Sequence, residues 1–151
     1  MIEQQIEQDV KRALLAGDAP RVSTLRGLKS VLLYVKVATG KRDVGLTDAE
    51  VIPLLAKEAK KRQESADLYI QGDRPELAAK EVAEKAIIET YLPEQLPEAD
   101  IAVVVDEVIS ASGAVGLAGM GLVIGQVKTR LGATADGSII ARLARERLQK
   151  P

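Results

Sequence analysis

Two prolines interrupt the helical pattern of this chain in the stretch Leu92-Pro93-Glu94-Gln95-Leu96-Pro97. Proline lacks a backbone N–H and its ring clashes with the preceding turn, so a helix cannot continue through both positions. On each side of this stretch, apolar residues recur at spacings of three and four, which is the period of a helix packed on one face. The pattern predicts an all-α protein with two domains, residues 1–95 and 96–151.

Four helices are predicted in the N-terminal domain. Each begins or ends at a residue type that is typical of helix termini, such as the capping box formed by Thr47 and Glu50. A bend is expected at Pro53, because this proline lies beyond the first turn of its helix. The approximate helix bounds are Ile2 to Gly17, Asp18 to Gly40, Thr47 to Gly72 and Asp73 to Leu92.

The third and fourth helices are joined by a tight turn and are therefore expected to pack as antiparallel neighbours. A turn centred on Gly72 places Glu64 opposite Lys80 and Lys60 opposite Glu84. These two ion pairs are a prediction about the register between the helices.

Three shorter helices are predicted in the C-terminal domain. Apolar residues again follow the helical period, and Gly113 is expected to end the first of the three helices. The approximate bounds are Glu98 to Ser110, Ala118 to Leu131 and Asp136 to Gln149.

The composition excludes several kinds of site. The chain contains no His and no Cys, which excludes thiol nucleophiles, Ser-His-Asp triads, and zinc sites built from Cys or His. Its only aromatic residues are three tyrosines, so the stacking platforms of single-strand binders are missing. We predict no catalytic residue, no metal site and no cofactor. Without a signal-peptide pattern or a membrane-length apolar run, the chain is expected to be cytoplasmic and to have no membrane partner.

Basic residues are concentrated near the C-terminus. Residues 1–110 carry 15 basic and 20 acidic side chains, whereas residues 111–151 carry six basic and two acidic ones. A local excess of cations favours phosphate binding. Basic residues at helix C-termini are also ordinary partners of the helix dipole, and the two interpretations are evenly balanced. The predicted phosphate-binding residues are Lys128, Arg130, Arg142, Arg145, Arg147 and Lys150.

A second basic cluster lies in the third predicted helix. It consists of Lys57, Lys60, Lys61 and Arg62. The cluster is a secondary candidate for phosphate binding. The favoured interpretation is a solvated face whose charge is neutralised by acidic residues of the fourth helix, Glu81 and Glu84.

Glycines are frequent between residues 113 and 125. A glycine-rich loop before a helix can present free amides to a phosphate. The alternative is close packing of the backbone, and this alternative is favoured, since no Gly-Lys-Ser/Thr sequence follows and no strand precedes the loop.

The chain also resembles the GatB/YqeY family. The similarity extends over nearly the whole chain, and its most specific part is the Tyr91 to Leu96 segment. The segments that carry it are Leu25-Arg26-Gly27-Leu28-Lys29-Ser30, Lys57 to Ser65, Tyr91-Leu92-Pro93-Glu94-Gln95-Leu96, and Met120-Gly121 with Gly125 and Ala135-Asp136-Gly137. The resemblance implies a helical N-terminal domain followed by a three-helix domain. The latter is similar to the C-terminal tail of the B subunit of the tRNA-dependent amidotransferase.

Three functions follow as hypotheses. The first is a non-catalytic, translation-associated module that binds tRNA and no DNA, by shape and charge rather than by base sequence. The second, which the resemblance implies, is an accessory component of a carbon–nitrogen ligase with glutamine as amido donor; its partners would be amidotransferase subunits or an aminoacyl-tRNA synthetase. The third is a protein-interaction adaptor without an RNA role, which an exposed apolar patch on the N-terminal domain would favour.

Overall fold

The computed structural model describes residues 1–149, which contain helices and no strand. The predicted all-α class is therefore confirmed. Two short 3₁₀ helices, Leu117–Gly119 and Gly132–Thr134, flank the sixth helix. The α-helices are α1 (Ile2–Ala16), α2 (Ala19–Ala38), α3 (Asp48–Gln71), α4 (Pro75–Glu89), α5 (Glu98–Ser112), α6 (Met120–Leu131) and α7 (Gly137–Gln149).

The chain forms two compact units, which meet in sequence between Leu92 and Pro93. We refer to residues 1–92 as the first unit and to the residues from 93 onward as the second unit. In the first unit, helices α1 to α4 surround an aliphatic core. The fully buried side chains of that core are Ile6, Leu25, Leu28, Leu32, Val51, Leu55 and Ile88.

In the second unit, α5, α6 and α7 pack around a separate aliphatic core. Each helix contributes two fully buried side chains from the same face, at the spacing of one helical turn. These side chains are Ile101 and Val105 of α5, Val123 and Val127 of α6, and Ile140 and Ala144 of α7.

Several helix termini form as the sequence predicts. Gly17 follows α1 with a φ of 70°, and Gly113 follows α5 with a φ of 68°. Both glycines adopt the left-handed conformation that allows the N–H groups after a helix to reach its last carbonyls. At the start of α3, Thr47 accepts a hydrogen bond from the Glu50 amide and donates its own amide to the Glu50 carboxylate. The predicted capping box is thereby confirmed.

The turn between α3 and α4 differs from the prediction. Helix α3 ends at Gln71, and Asp73 adopts the left-handed conformation, with a φ of 56°. The Arg74 amide reaches back to the Tyr69 carbonyl over 2.8 Å, and the Asp73 amide reaches the Ile70 carbonyl over 3.1 Å. These two bonds close the turn one residue later than expected.

The later turn changes the register between α3 and α4. Arg62 pairs with Glu84 at 3.0 Å, and Lys85 donates to the Gln63 side chain at 2.9 Å. Both contacts are centred near Asp73. The predicted pairs, Glu64 with Lys80 and Lys60 with Glu84, do not form, because they required a turn centred on Gly72.

Candidate nucleic-acid interface

The predicted phosphate-binding side chains lie on two helices of the second unit. Lys128 and Arg130 occupy the last turn of α6, and Arg142, Arg145 and Arg147 belong to α7. Lys150 lies outside the described residues. The helical repeat brings the α7 arginines onto two faces of that helix.

Three of these arginines are paired with carboxylates of α5. Arg130 contacts Glu107 at 2.8 Å, and Arg147 contacts Asp106 at 3.0 Å. Arg142 binds Glu98. These contacts connect α6 and α7 to α5. They partly neutralise the cations that make up the predicted excess of positive charge near the C-terminus.

The expected acidic body and basic tail are consequently wrong as a description of the folded protein. Residues 1–92 carry 15 basic and 15 acidic side chains, so the first unit is neutral. Residues 93–151 carry six basic and seven acidic side chains, a net charge of −1. The predicted excess of cations arose because the count began at residue 111 and therefore left out the carboxylates of α5.

Within α7, Glu146 supplies a further carboxylate. It accepts from Arg142 at 3.3 Å and lies 3.7 Å from Arg147. The hydrogen bonds from Arg142 to Glu98 and Glu146 raise the pKa of its guanidinium. Arg142 is therefore held as a cation with two acceptors, both on the protein surface.

Lys128 and Arg145 differ from these arginines. Both side chains are exposed, and neither has a carboxylate within ion-pair distance in the part of the chain that the structure describes. The Lys128 stem packs over Gly137 at the first position of α7. A Cβ atom on Gly137 would lie 3.3 Å from Lys128 Cε, a contact that a small movement of the flexible lysine side chain would relieve.

The secondary basic cluster also contains both paired and unpaired cations. Arg62 pairs with Glu58, Glu81 and Glu84 at 3.1, 4.0 and 3.0 Å, and Lys61 pairs with Glu58 at 3.1 Å. Neutralisation by α4 therefore holds for Arg62. Lys57 and Lys60 are exposed and have no ion pair among residues 1–149.

The glycine-rich segment is explained in part by packing. A Cβ atom on Gly119 would come within 2.9 Å of the Ala114 side chain, so the backbone approaches there closely. Gly116 has a φ of 67° and a ψ of −179°, a conformation that glycine adopts almost alone. Gly121 and Gly125 are different, because a Cβ atom on either would meet no atom of residues 1–149 within 4 Å. Packing among the described residues does not account for these two glycines.

The Tyr91 to Leu96 segment is anchored at both ends. In the first unit, the Tyr91 hydroxyl donates to Asp9 on α1 over 2.6 Å. Burial and this hydrogen bond raise the pKa of Tyr91. In the second unit, the Leu96 amide donates to the Thr134 carbonyl, and the Gln95 side chain donates to the Ala133 carbonyl, each over 2.7 Å. The sequence alone does not reveal these partners, since they lie 38 to 82 residues away.

Other classes of site receive no support from the geometry. Among residues 1–149 there is no group of three or more Asp and Glu side chains arranged to hold a metal ion. In the same part of the chain, no single helix has both the length and the apolar composition needed to cross a membrane.

Comparison with known proteins gives a match over nearly the full length. Residues 3–148 match the family described as Yqey-like protein. The chain is also 30% identical over 86 residues to "Altered inheritance of mitochondria protein 41, mitochondrial" of Kluyveromyces lactis, and 31% identical over 94 residues to the protein of that name in Lachancea thermotolerans.

These alignments cover 57% and 62% of this chain and 45% and 49% of the two yeast proteins. The chain thus spans about half the length of the curated relatives that it matches. The match to the family itself reaches from α1 to the last turn of α7. On this evidence the chain belongs to the Yqey-like protein family.

Proposed function

We propose that this protein is a non-catalytic, translation-associated module that binds the phosphate backbone of folded tRNA through the α6 and α7 side of its second unit. The observation that carries the proposal is the pair of exposed cations, Lys128 and Arg145, that lack a carboxylate partner among the described residues. The resemblance of the second unit to the amidotransferase tail gives tRNA as the class of ligand. The proposed place of action is the cytoplasm, while the names of the yeast relatives assign those proteins to mitochondria.

The paired arginines are compatible with this function. The side chains of Arg130 and Arg142 are about half exposed, and so are their partners Glu107 and Glu98. Exposed ion pairs contribute only about 0.2–1 kcal/mol, so a phosphate can replace the carboxylate at little cost. Arginine can bind a phosphate through two parallel N–H groups. The two free cations would make the first contacts, and the two arginines would exchange partners on binding.

Titration of the intact protein with labelled folded tRNA across a salt series tests this proposal. Two to four phosphate contacts predict that the affinity falls with a log–log slope of about −2 to −4. The double variant Lys128→Gln, Arg145→Gln should reduce the slope by about one to two and weaken binding at least tenfold in low salt. Unfolded tRNA and duplex DNA should compete poorly.

A matched control comes from the first unit. The double variant Lys57→Gln, Lys60→Gln removes two exposed and unpaired cations from α3, so its net charge changes by the same amount. Equal loss of affinity in the two double variants would mean non-specific attraction and would contradict the proposed site. A loss of tRNA affinity that occurs only in the Lys57→Gln, Lys60→Gln variant would show that the binding site is on α3. Circular dichroism should show unchanged helicity in both proteins.

The accessory role in a carbon–nitrogen ligase remains the alternative proposal. It shares the tRNA contact and adds a requirement for amidotransferase subunits or an aminoacyl-tRNA synthetase. Purification of the intact protein with stably bound amidase or B-like subunits would favour this role over an independent module.

A further inference from the structure

The outward face of α2 is apolar over its C-terminal half. Three of its side chains keep about half or more of their surface exposed, namely Leu33 (46%), Tyr34 (77%) and Val37 (59%). Over residues 30–38 the only charged side chain is Lys36, and it turns toward α1 to pair with Glu3. A helix at the surface of a soluble unit ordinarily has a polar outward face, so this half of α2 lacks the usual polar covering.

The N-terminal half of the same face is lined by small residues. Ser23, Gly27 and Ser30 follow one another at spacings of four and three, which places them on one side of α2. Glycine in a helix interior costs about 1 kcal/mol relative to alanine. A Cβ atom on Gly27 would meet nothing within 4 Å, so packing inside the first unit does not require this glycine. Small side chains do allow a second helix to approach closely.

A shallow groove continues this face toward α1. Its volume is about 480 Å³, and its apolar wall includes Leu14 of α1 and Val22 of α2. Arg26 also lines the groove, is exposed, and has no carboxylate partner among residues 1–149. The face therefore combines apolar contact area with one cation that nothing in the first unit neutralises.

We infer that the outward face of α2 docks an acidic amphipathic α-helix of a partner protein. A carboxylate of that helix pairs with Arg26, its backbone lies close to Gly27, and its apolar side chains contact Leu33 and Val37. The unpaired arginine beside apolar side chains selects an occupant that is both acidic and apolar.

A helix fits this face better than an extended peptide. An extended peptide that binds by strand addition needs an open strand edge, and residues 1–149 contain no strand. An extended polyproline II peptide needs a groove lined by aromatic side chains, whereas Tyr34 is the one aromatic side chain of this face. A helix satisfies its own backbone and needs only a groove and anchor positions. The face from Ala19 to Val37 is about 27 Å long at 1.5 Å per residue, which accommodates about five helical turns.

The test selects helical 20-residue peptides from a display library against the intact protein. The peptides that bind should carry apolar residues at spacings of three and four and at least one Asp or Glu. Their dissociation constants should increase at least tenfold with Gly27→Gln, which fills the line of small residues. Arg26→Glu should cause a similar loss, and replacing the acidic peptide residue with Lys should restore binding to this variant.

Matched controls lie on α4. Ala86→Gln and Lys80→Glu introduce the same two side chains at an exposed small residue and an exposed cation, and they should leave the peptide affinities unchanged. The inference is overturned if the selected peptides lack acidic residues or bind the Arg26→Glu variant equally well. If light scattering shows a wild-type dimer that Gly27→Gln dissociates, a second copy of this chain is the occupant and the partner assignment is wrong.

Discussion

Among residues 1–149, Asp73 is the only residue other than glycine that has a positive φ. The left-handed conformation places Cβ close to the following carbonyl, and aspartate tolerates this strain better than most residues without removing it. Asp73 adopts it because the N–H groups of Asp73 and Arg74 close α3 against the carbonyls of Ile70 and Tyr69. The sequence placed the centre of the turn at Gly72 and did not indicate that Asp73 adopts the left-handed conformation.

Asp73→Gly is therefore expected to stabilise the protein. Glycine adopts the left-handed conformation without strain, and the gain should exceed its greater loss of backbone entropy on folding. The free energy of unfolding should rise by about 0.5–1 kcal/mol, measured by urea denaturation followed by circular dichroism. Asp67→Gly, at an exposed position inside α3, should lower it by about 0.5–1 kcal/mol. A loss of stability in Asp73→Gly would show that the aspartate side chain has a role of its own.

Between helices, Glu3 connects α1 to two other parts of the first unit. Its carboxylate accepts from the Leu46 amide at 3.0 Å, in the segment between α2 and α3, and pairs with Lys36 of α2. Burial opposes ionisation of Glu3, but the hydrogen bonds from Leu46 and Lys36 outweigh it and lower the pKa of the carboxyl group. The apolar periodicity predicted the helices α1 and α2. It did not reveal the two contacts of Glu3, because they join residues 33 and 43 positions apart.

Glu3→Gln should destabilise the first unit by about 1–2 kcal/mol at pH 7, since it removes a charged acceptor of two hydrogen bonds. The pKa of Glu3 is lower in the folded state than in the unfolded state. Its contribution is therefore fully present above the unfolded value, about 4.3, and is lost as the pH falls through the folded value. Unfolding free energies of both proteins measured between pH 3 and 7 should converge at the acidic end.

Glu7→Gln is the matched control for that series. Glu7 is also on α1, but its pair with Lys29 is long, at 3.8 Å, and both side chains are about half exposed. Its replacement should change the unfolding free energy by less than about 0.5 kcal/mol. An equal effect of the two replacements would contradict the role of Glu3 as a connection between elements.

In the molecule as a whole, the division into two units determines which basic side chains have carboxylate partners. The sequence predicted a cationic C-terminal segment, whereas α5 brings Glu98, Asp106 and Glu107 to the arginines of α6 and α7. A charge sum along the chain depends on where the count begins. The fold sets this boundary before α5, and each half is then close to neutral.

Removing these three carboxylates should strengthen tRNA binding if the proposed interface is correct. The triple variant Glu98→Gln, Asp106→Asn, Glu107→Gln frees Arg130 and leaves Arg142 and Arg147 with Glu146 as their shared carboxylate. The log–log salt slope should therefore steepen by about one to three, and the affinity should rise about tenfold in low salt. The comparison is with Glu64→Gln, Asp67→Asn, Glu76→Gln, which gives the same net charge by changes in the first unit. Equal gains from both triples would argue against the α6 and α7 side as the binding surface.

Local sequence patterns were sufficient to predict the all-α class, the approximate position of every α-helix, and most helix termini. This information is local, since the apolar period, a proline, a glycine at a helix end, or the Thr47 and Glu50 capping box acts within a few residues. The family could likewise be recognised from short segments, above all Tyr91 to Leu96.

The fold, in contrast, is needed to show which charges are paired and which surfaces remain open. The α3–α4 register, the carboxylate partners of the arginines and the uncovered face of α2 all depend on contacts between distant residues. Such contacts follow from the way helices pack, and a shift of one residue in a turn, as at Asp73, changes partners across the helix pair, as it does for Glu84. Lys128 and Arg145 could be distinguished from their paired neighbours only in the folded chain, where the positions of the carboxylates are known.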